Sequence, residues 1–426
     1  MNDKPRICLV PIGRISNDVF KRDIDNVENL LREFDVELKK IDAISNELQA
    51  PQLRNLPEKE SYDLTLLLSL HGATAHLQVS AAECLEKPVV IWSLPKRFSF
   101  PTSASAYGAL KERGFWVTLL HGESNDKKLA EEVVTLARVA FAIHKLSKTR
   151  IGILGSLPHY MLASLYDSEA LEKRFGVKLK QLSHFEFMSI LKSFQLEKKG
   201  NIEQVLRENV NVQTDECSLS KGIAVHKAIK EILCRYKLNA IALGCHPDLE
   251  AELQINPCFG FVEDSYAIGC ECDVLSLISA LFLKYLSGVS AWITDIYSLE
   301  GDRLTLAHCA AAKSLAMGNE VIISGKTQKE IGDRPHTLAE CRPKIPKGPA
   351  TLVRLLGKQA DRLHLTFGEI ESCDVEEQVK VTLRIQGNPK EFIRYAMGNH
   401  YTMALGDLRE EVKILCERLN IKVIET

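Results

Sequence analysis

The chain has 426 residues, 45% of them apolar, which is enough for ~2 to 4 domains with cores of their own. Lys plus Arg number 54 against 56 Asp plus Glu, a formal charge of -2. That balance argues against non-specific binding to nucleic acid or to an anionic membrane surface. Met1 to Arg6 runs straight into the strand-like Ile7-Cys8-Leu9-Val10, and no run approaches ~20 uninterrupted apolar residues. The expectation is a soluble, cytoplasmic protein with neither a nucleic-acid nor a membrane partner.

In chain order, short apolar runs alternate with amphipathic stretches, the pattern of parallel strands covered by helices. The strands are expected at Ile7 to Val10, Val36 to Ile41, Leu64 to Leu70, Val89 to Leu94 and Trp116 to Leu120. Helices fall between them at Asp18 to Phe34 and Ser103 to Arg113, and a longer one covers Lys127 to Lys145. Arg150 to Gly155 starts the alternation again, followed by helices near Met161 to Phe175 and Gly222 to Tyr236 and a strand at Ala240 to Leu243. After about Ser324 the texture changes. Gly332-Asp333-Arg334-Pro335 and Pro343, Pro346 and Pro349 mark irregular connections. Thr351 to Leu356, Leu363 to Ile370 and Val379 to Ile385 then follow without long crossover helices, which points to an antiparallel barrel or sandwich. A helix at Leu408 to Leu419 and a strand at Ile421 to Ile424 close the chain. The expected fold class is α/β: two Rossmann-like doubly wound domains, 1–148 and 149–324, then a C-terminal antiparallel β-rich, barrel-like domain, 325–426.

Three side chains stand out against their surroundings. A helix beginning near Glu271 sets Val274, Leu275, Ile278, Leu281, Phe282 and Tyr285 on one face, with Glu271 one turn ahead on that same face and Asp273 on a more polar one. A carboxylate on that face must pair, bind a metal or neutralise, so Glu271 rather than Asp273 is the candidate. Complementing the helix N-terminus is the alternative role. Asp295 interrupts the apolar Ala291 to Tyr297, where aspartate is either a strand-end turn former or a ligand over a sheet edge. His400 follows the turn-forming Gly398-Asn399 and is either a ligand or a satisfied hydrogen-bonder. Two carboxylates and an imidazole form an oxygen-rich set that suits Mn²⁺ or Mg²⁺.

Other signals are weaker. The twelve cysteines lack a Cys-x-x-Cys pair and read as reduced core thiols. Cys270 and Cys272 could join His308 and Cys309 on a metal, but their spacing fits no common zinc module. Ile151 to Ser156 lacks a dinucleotide fingerprint, and no nucleophile elbow appears. His71 to His76, after a strand, is either a substrate loop or an ordinary strand-to-helix turn.

These segments resemble the L-fucose and L-arabinose isomerase superfamily, in particular its fucose-isomerase-like sugar isomerase branch. The resemblance is carried by Gly244 to Asp248, Cys270-Glu271-Cys272-Asp273-Val274, Trp292 to Ile296, Leu306 to Ala310, and Gly398-Asn399-His400-Tyr401 through Gly406-Asp407. It implies a metal-dependent aldose–ketose isomerase with a Mn²⁺ or Mg²⁺ ion on Glu271, Asp295 and His400. It further implies proton transfer between C1 and C2 by Glu271 and Asp295, and sugar contacts from His308, Asn399 and His246. A homo-oligomer, trimer or hexamer, is also implied, with residues near His71 and Trp92 reaching a neighbouring pocket. The chain departs from the family pattern at His246-Pro247-Asp248, Cys272 and Ala310, which touch the expected pocket and not the expected ligands. Two other readings stay open: a non-catalytic sugar-binding or regulatory protein on the same scaffold, and an isomerase of a charged, for example sulfonated, sugar.

Overall fold

The computed structural model describes residues 4–15, 18–195, 209–249, 257–325 and 339–426. The expected irregular connection at Gly332 to Pro335 lies outside the described residues. The chain divides into two compact units, Met1–His144 and Lys145–Thr426.

In the first unit β1 (Arg6–Ile12), β2 (Glu37–Lys40), β3 (Leu64–Ser69), β4 (Val89–Ser93) and β5 (Val117–His121) form a parallel sheet in the order β2-β1-β3-β4-β5. The central strands are continuous apolar runs because they are covered on both faces. Ile7, Leu9, Leu66, Leu68 and Ile91 are all fully buried, whereas the edge strand β2 reads Glu-Leu-Lys-Lys and is largely exposed. The helix Asp18–Arg32 buries Phe20, Ile24, Val27 and Leu31, spaced to make one stripe.

The second unit begins with β6 (Arg150–Leu154), β7 (Lys178–Gln181), β8 (Val210–Gln213), β9 (Ala240–Leu243) and β10 (Ala267–Gly269). Four of these form a second parallel sheet, β10-β9-β6-β7. Beyond it lie β11 (Trp292–Glu300), β12 (Arg303–His308), β13 (Val321–Ser324), β14 (Glu340–Pro343), β15 (Gly348–Leu356), β16 (Arg362–Asp374), β17 (Val379–Ile385), β18 (His400–Leu405) and β19 (Lys422–Glu425). Strands β15-β18-β11-β12-β17-β16 are antiparallel neighbours, and β16 pairs back to β15, closing a six-stranded barrel. Its interior is filled by Trp292, Leu304, Leu306, Leu352, Val381, Leu383, Tyr401 and Met403. β13 joins β8 and β14 in a small mixed sheet. The helix Val274–Ser287 is apolar nearly all round, as a helix enclosed on several sides must be: it packs on β10 as well as on the barrel strands β15 and β18.

Three details differ from the reading of the sequence. The barrel starts at Trp292, well before Ser324, so Asp295 lies within an antiparallel barrel strand and not at the end of a parallel one. The reason is a tight hairpin at Gly301-Asp302, with Gly301 at φ +63, that joins β11 to β12. Met161 to Phe175 holds only a 3-10 turn, Leu162–Ser164, and a helix, Ser168–Phe175, because Asp167 caps a new start by accepting from Glu169 N and Ala170 N. The long apolar helix starts at Val274 rather than at Glu271, because Asp273 caps it. All twelve cysteines are free thiols, most of them buried. Among the described residues no helix is long and apolar enough to cross a membrane.

Candidate metal centre and active site

The site residues belong to the second unit and come from four elements. Glu271 follows β10, in a short turn where Glu271 and Cys272 both have φ +51. Left-handed backbone at a residue other than glycine costs of order 1–3 kcal/mol and is retained where the surroundings impose it. Here the Glu271 amide donates to Cys245 Sγ at 3.2 Å, just past the end of β9. Asp295 on β11 pairs with His400 on β18, so the two side chains stand on one face of the barrel wall. His308 ends β12 at the barrel rim, with its ring 5.6 Å from that of His400.

These residues converge. One ligand atom each from Asp295, His308 and His400 lie within 4.8 Å of one another. Glu271 Oε2 is 3.0 Å from His400 Nε2 and Asp295 Oδ1 is 3.7 Å from it. His400 is fully buried, and its Nε2 makes no hydrogen bond of acceptable direction despite the two carboxylates. A buried polar nitrogen left without a hydrogen bond calls for an explanation, and a cation shared with nearby carboxylates supplies one. Two imidazoles and two carboxylates make a donor set able to hold a divalent cation. His308, expected as a sugar contact, thus stands with the metal-capable set.

The Glu271 carboxyl is held as an anion. Burial alone would raise the Glu271 carboxyl, but His400 and a hydrogen bond from Tyr160 outweigh it and bring it down to about 2. Tyr160 Oη donates to Glu271 Oε1 at 2.6 Å, and burial and that neighbour push the phenol far above its usual range. Asn399 Nδ2 donates to Asp295 Oδ1 at 3.1 Å, which leaves Asp295, 43% exposed, facing the open side. Burial would lower His400, but Asp273 and Glu271 overcome it and raise the metal-free imidazole to about 10.

Behind the imidazole sits Asp273, fully buried, which the sequence reading had set aside on a polar face. Its Oδ2 is 3.1 Å from His400 Nδ1. The signal was legible: an aspartate directly before an apolar helical run is a capping residue, and its Oδ1 accepts from Ser276 N at 3.0 Å. Arg354, also buried, donates from Nε to Met397 O at 2.9 Å and from Nη1 to His400 O. This explains Gly398. It adopts φ +138, and a Cβ there would overlap the Arg354 guanidinium. Gly398→Ala is expected to lower the unfolding free energy by about 1–3 kcal/mol, read from the urea midpoint, and an unchanged midpoint would contradict this packing account.

The remaining expected contacts separate. His246 is exposed, its ring 6.5 Å from that of Tyr160, and stays at the rim of the site. In the first unit, His71 Nε2 accepts from Arg14 N at 2.9 Å and Nδ1 donates to Gly72 O at 2.8 Å, so the ring is committed to the turn. Trp92 is fully buried, its Nε1 donating to Gly122 O at 3.2 Å, so it is a core residue and no ligand contact. Cys270, Cys272 and Cys309 form no metal-capable group with His308 among the described residues, and Cys272 Sγ donates instead to Leu154 O at 3.5 Å. Tyr160 was not anticipated. Its only signal was position, in the loop after β6 at the carboxyl edge of a parallel sheet, where ligands bind.

No family model matches the chain. Among characterised proteins it is similar to a sulfoquinovose isomerase of Priestia megaterium, 23% identical over 384 residues that cover 84% of each chain. A sulfoquinovose isomerase of Alkalicoccus urumqiensis is 21% identical over 387 residues, 85% of this chain and 86% of that one. Among solved structures, a periplasmic solute binding protein of Actinobacillus succinogenes with bound D-allose overlaps 59% of this chain and 82% of that one at 17% identity, with a TM-score of 0.19, too low to carry an argument. With these relatives and this site, the protein is an enzyme, a sugar isomerase of the aldose–ketose class.

Proposed function

We propose that the isomerase is metal-dependent, and that Glu271, Asp295, His308 and His400 hold a single Mn²⁺ or Mg²⁺ ion. The observation that carries this is the buried His400 Nε2, without a hydrogen bond and within 3.0 Å and 3.7 Å of two carboxylate oxygens. A divalent ion held there would supply Lewis-acid stabilisation for the negative charge that develops on the sugar during the reaction. The protein's part is to position and to move protons. One carboxylate takes the proton from C2 of the open-chain aldose and it is delivered to C1, while O2 loses a proton and O1 gains one, so that substrate and product are isomers with no net oxidation. Glu271 and Asp295 are the two groups placed for this, each also a ligand. Tyr160 orients Glu271 through Oε1, and Asn399 fixes Asp295. Two Rossmann-like α/β halves ahead of the barrel, and a homo-oligomer, complete the proposal.

The names of the relatives favour one substrate class, a hexose carrying a sulfonate at C6, over an unsubstituted sugar. The test is a panel of pentoses, hexoses and 6-substituted hexoses incubated with Mn²⁺ or Mg²⁺, with ketose formation followed by NMR. Conversion of the 6-sulfonated aldose in preference to the unsubstituted one is the expected result. Metal bound with no exchange on any sugar would revive the non-catalytic sugar-binding reading.

A further inference from the structure

Asp273 does more than a helix cap requires. Capping the helix Val274–Ser287 takes one carboxylate oxygen, and Oδ1 fills that role by accepting from the Ser276 amide at 3.0 Å. The other oxygen, Oδ2, accepts from Ser164 Oγ at 2.8 Å and Ser276 Oγ at 2.8 Å, and it faces His400 Nδ1 at 3.1 Å. The Arg354 guanidinium lies 4.0 Å from Oδ2 and donates to Ser164 Oγ at 3.3 Å. Asp273, Arg354 and His400 are all buried to within a few per cent, so no solvent competes for these positions. An ionised carboxylate can only accept hydrogen bonds, so the imidazole nitrogen facing it must be the one that carries hydrogen.

We propose that Asp273 is a positioning residue which decides the tautomer of His400: it holds the hydrogen on Nδ1 and so turns the Nε2 lone pair toward Glu271 and Asp295. This rests on the metal-site reading for its consequence, because only an unprotonated Nε2 can be a ligand, and groups behind a metal-binding histidine fix its tautomer and raise its basicity. The same hydrogen bonds predict what an isosteric change does. In Asp273→Asn the Ser276 amide still requires an oxygen at the Oδ1 position, so the new NH₂ takes the Oδ2 position. The hydroxyls of Ser164 and Ser276 can rotate to accept from it, but His400 Nδ1 must then become the acceptor. That moves the hydrogen to Nε2 and blocks the lone pair.

The experiment combines Mn²⁺ titration calorimetry with long-range ¹H–¹⁵N correlation spectra of the histidine rings in excess Mg²⁺, on the full chain. Wild type is expected to show His400 with hydrogen on Nδ1. Asp273→Asn is expected to show it on Nε2 and to bind Mn²⁺ roughly 10- to 100-fold more weakly. Unchanged affinity with hydrogen retained on Nδ1 in the variant overturns the proposal. Should Asp273→Asn fail to fold, the wild-type spectrum still decides, since hydrogen on Nε2 of wild-type His400 also overturns it. The two readings fail separately: wild type that binds no divalent ion removes the metal site, while wild type that binds the ion with the hydrogen of His400 on Nε2 removes the role of Asp273 alone.

Discussion

Glu271→Gln is expected to abolish exchange of solvent deuterium into the sugar carbon while leaving the fold in place. Glutamine fills the same volume and can still accept from Tyr160 Oη, so the turn after β10 and its left-handed backbone have no reason to change. What is lost is the anion. At neutral pH the Glu271 carboxyl, held down to about 2 by His400 and Tyr160 against the opposing effect of burial, is fully ionised and able to take a proton as sugar carbon gives one up. A positioned acid or base is worth ~10²–10⁴ in rate, and here the same substitution removes a ligand, so kcat should fall by at least ~10²-fold. The check is NMR of the substrate in ²H₂O, with circular dichroism as the control on folding. Full retention of exchange would remove Glu271 from the chemistry.

Stripping the divalent ion with a chelator is expected to have an effect of similar size, reversed by adding Mn²⁺ or Mg²⁺ back. Several kcal/mol of charge stabilisation is typical for such an ion, and ~4 kcal/mol is roughly 10³-fold in rate. The metal-free site also has a pH signature. Without an ion, the His400 imidazole is raised to about 10 from an ordinary value of 6.5, despite its burial, by Asp273 and Glu271. A raised folded value means its contribution to stability is complete below 6.5 and is lost as the pH rises through about 10. Glu271 and Asp273, both lowered to about 2, contribute stability that is present above 4.5 and 3.8 and lost as the pH falls through about 2. The chelated protein should therefore lose thermal stability between pH 7 and 10. Binding the ion must displace the His400 proton, so affinity should rise over the same range. Calorimetric titration at pH 7.5 in buffers of different ionisation enthalpy should report about one proton released per ion. A flat stability profile across this range, with no proton release, would contradict the arrangement around His400.

The parts of the fold that were legible in the sequence are those set by local pattern. Ile7 to Val10, Leu64 to Leu70 and Val89 to Leu94 read as buried parallel strands because an uninterrupted apolar run that short has few other places to go. Glu271, Asp295 and His400 stood out because a charged or polar group in an apolar setting has to be accounted for. What escaped depends on partners distant in the chain. Asp273 and Tyr160 take their roles from His400 and Glu271, more than a hundred residues away, and neither side chain announces this by its neighbours in sequence. The burial of Trp92 is decided by the strands on either side of it, so an aromatic read as a pocket residue proved to be core. The early start of the barrel was a different kind of miss. Gly301-Asp302 between two alternating runs is a hairpin signal, but it sat ahead of the proline-rich stretch that was taken to mark the change of texture.

The most direct measurement of the central claim is Mn²⁺ binding followed by electron paramagnetic resonance, with wild type beside Asp295→Asn, His308→Ala and His400→Ala. One Mn²⁺ per chain in wild type, with binding weakened or lost in every variant, is the result this account predicts. A wild-type chain that leaves Mn²⁺ free in solution, or variants that bind it as tightly as wild type, would contradict it.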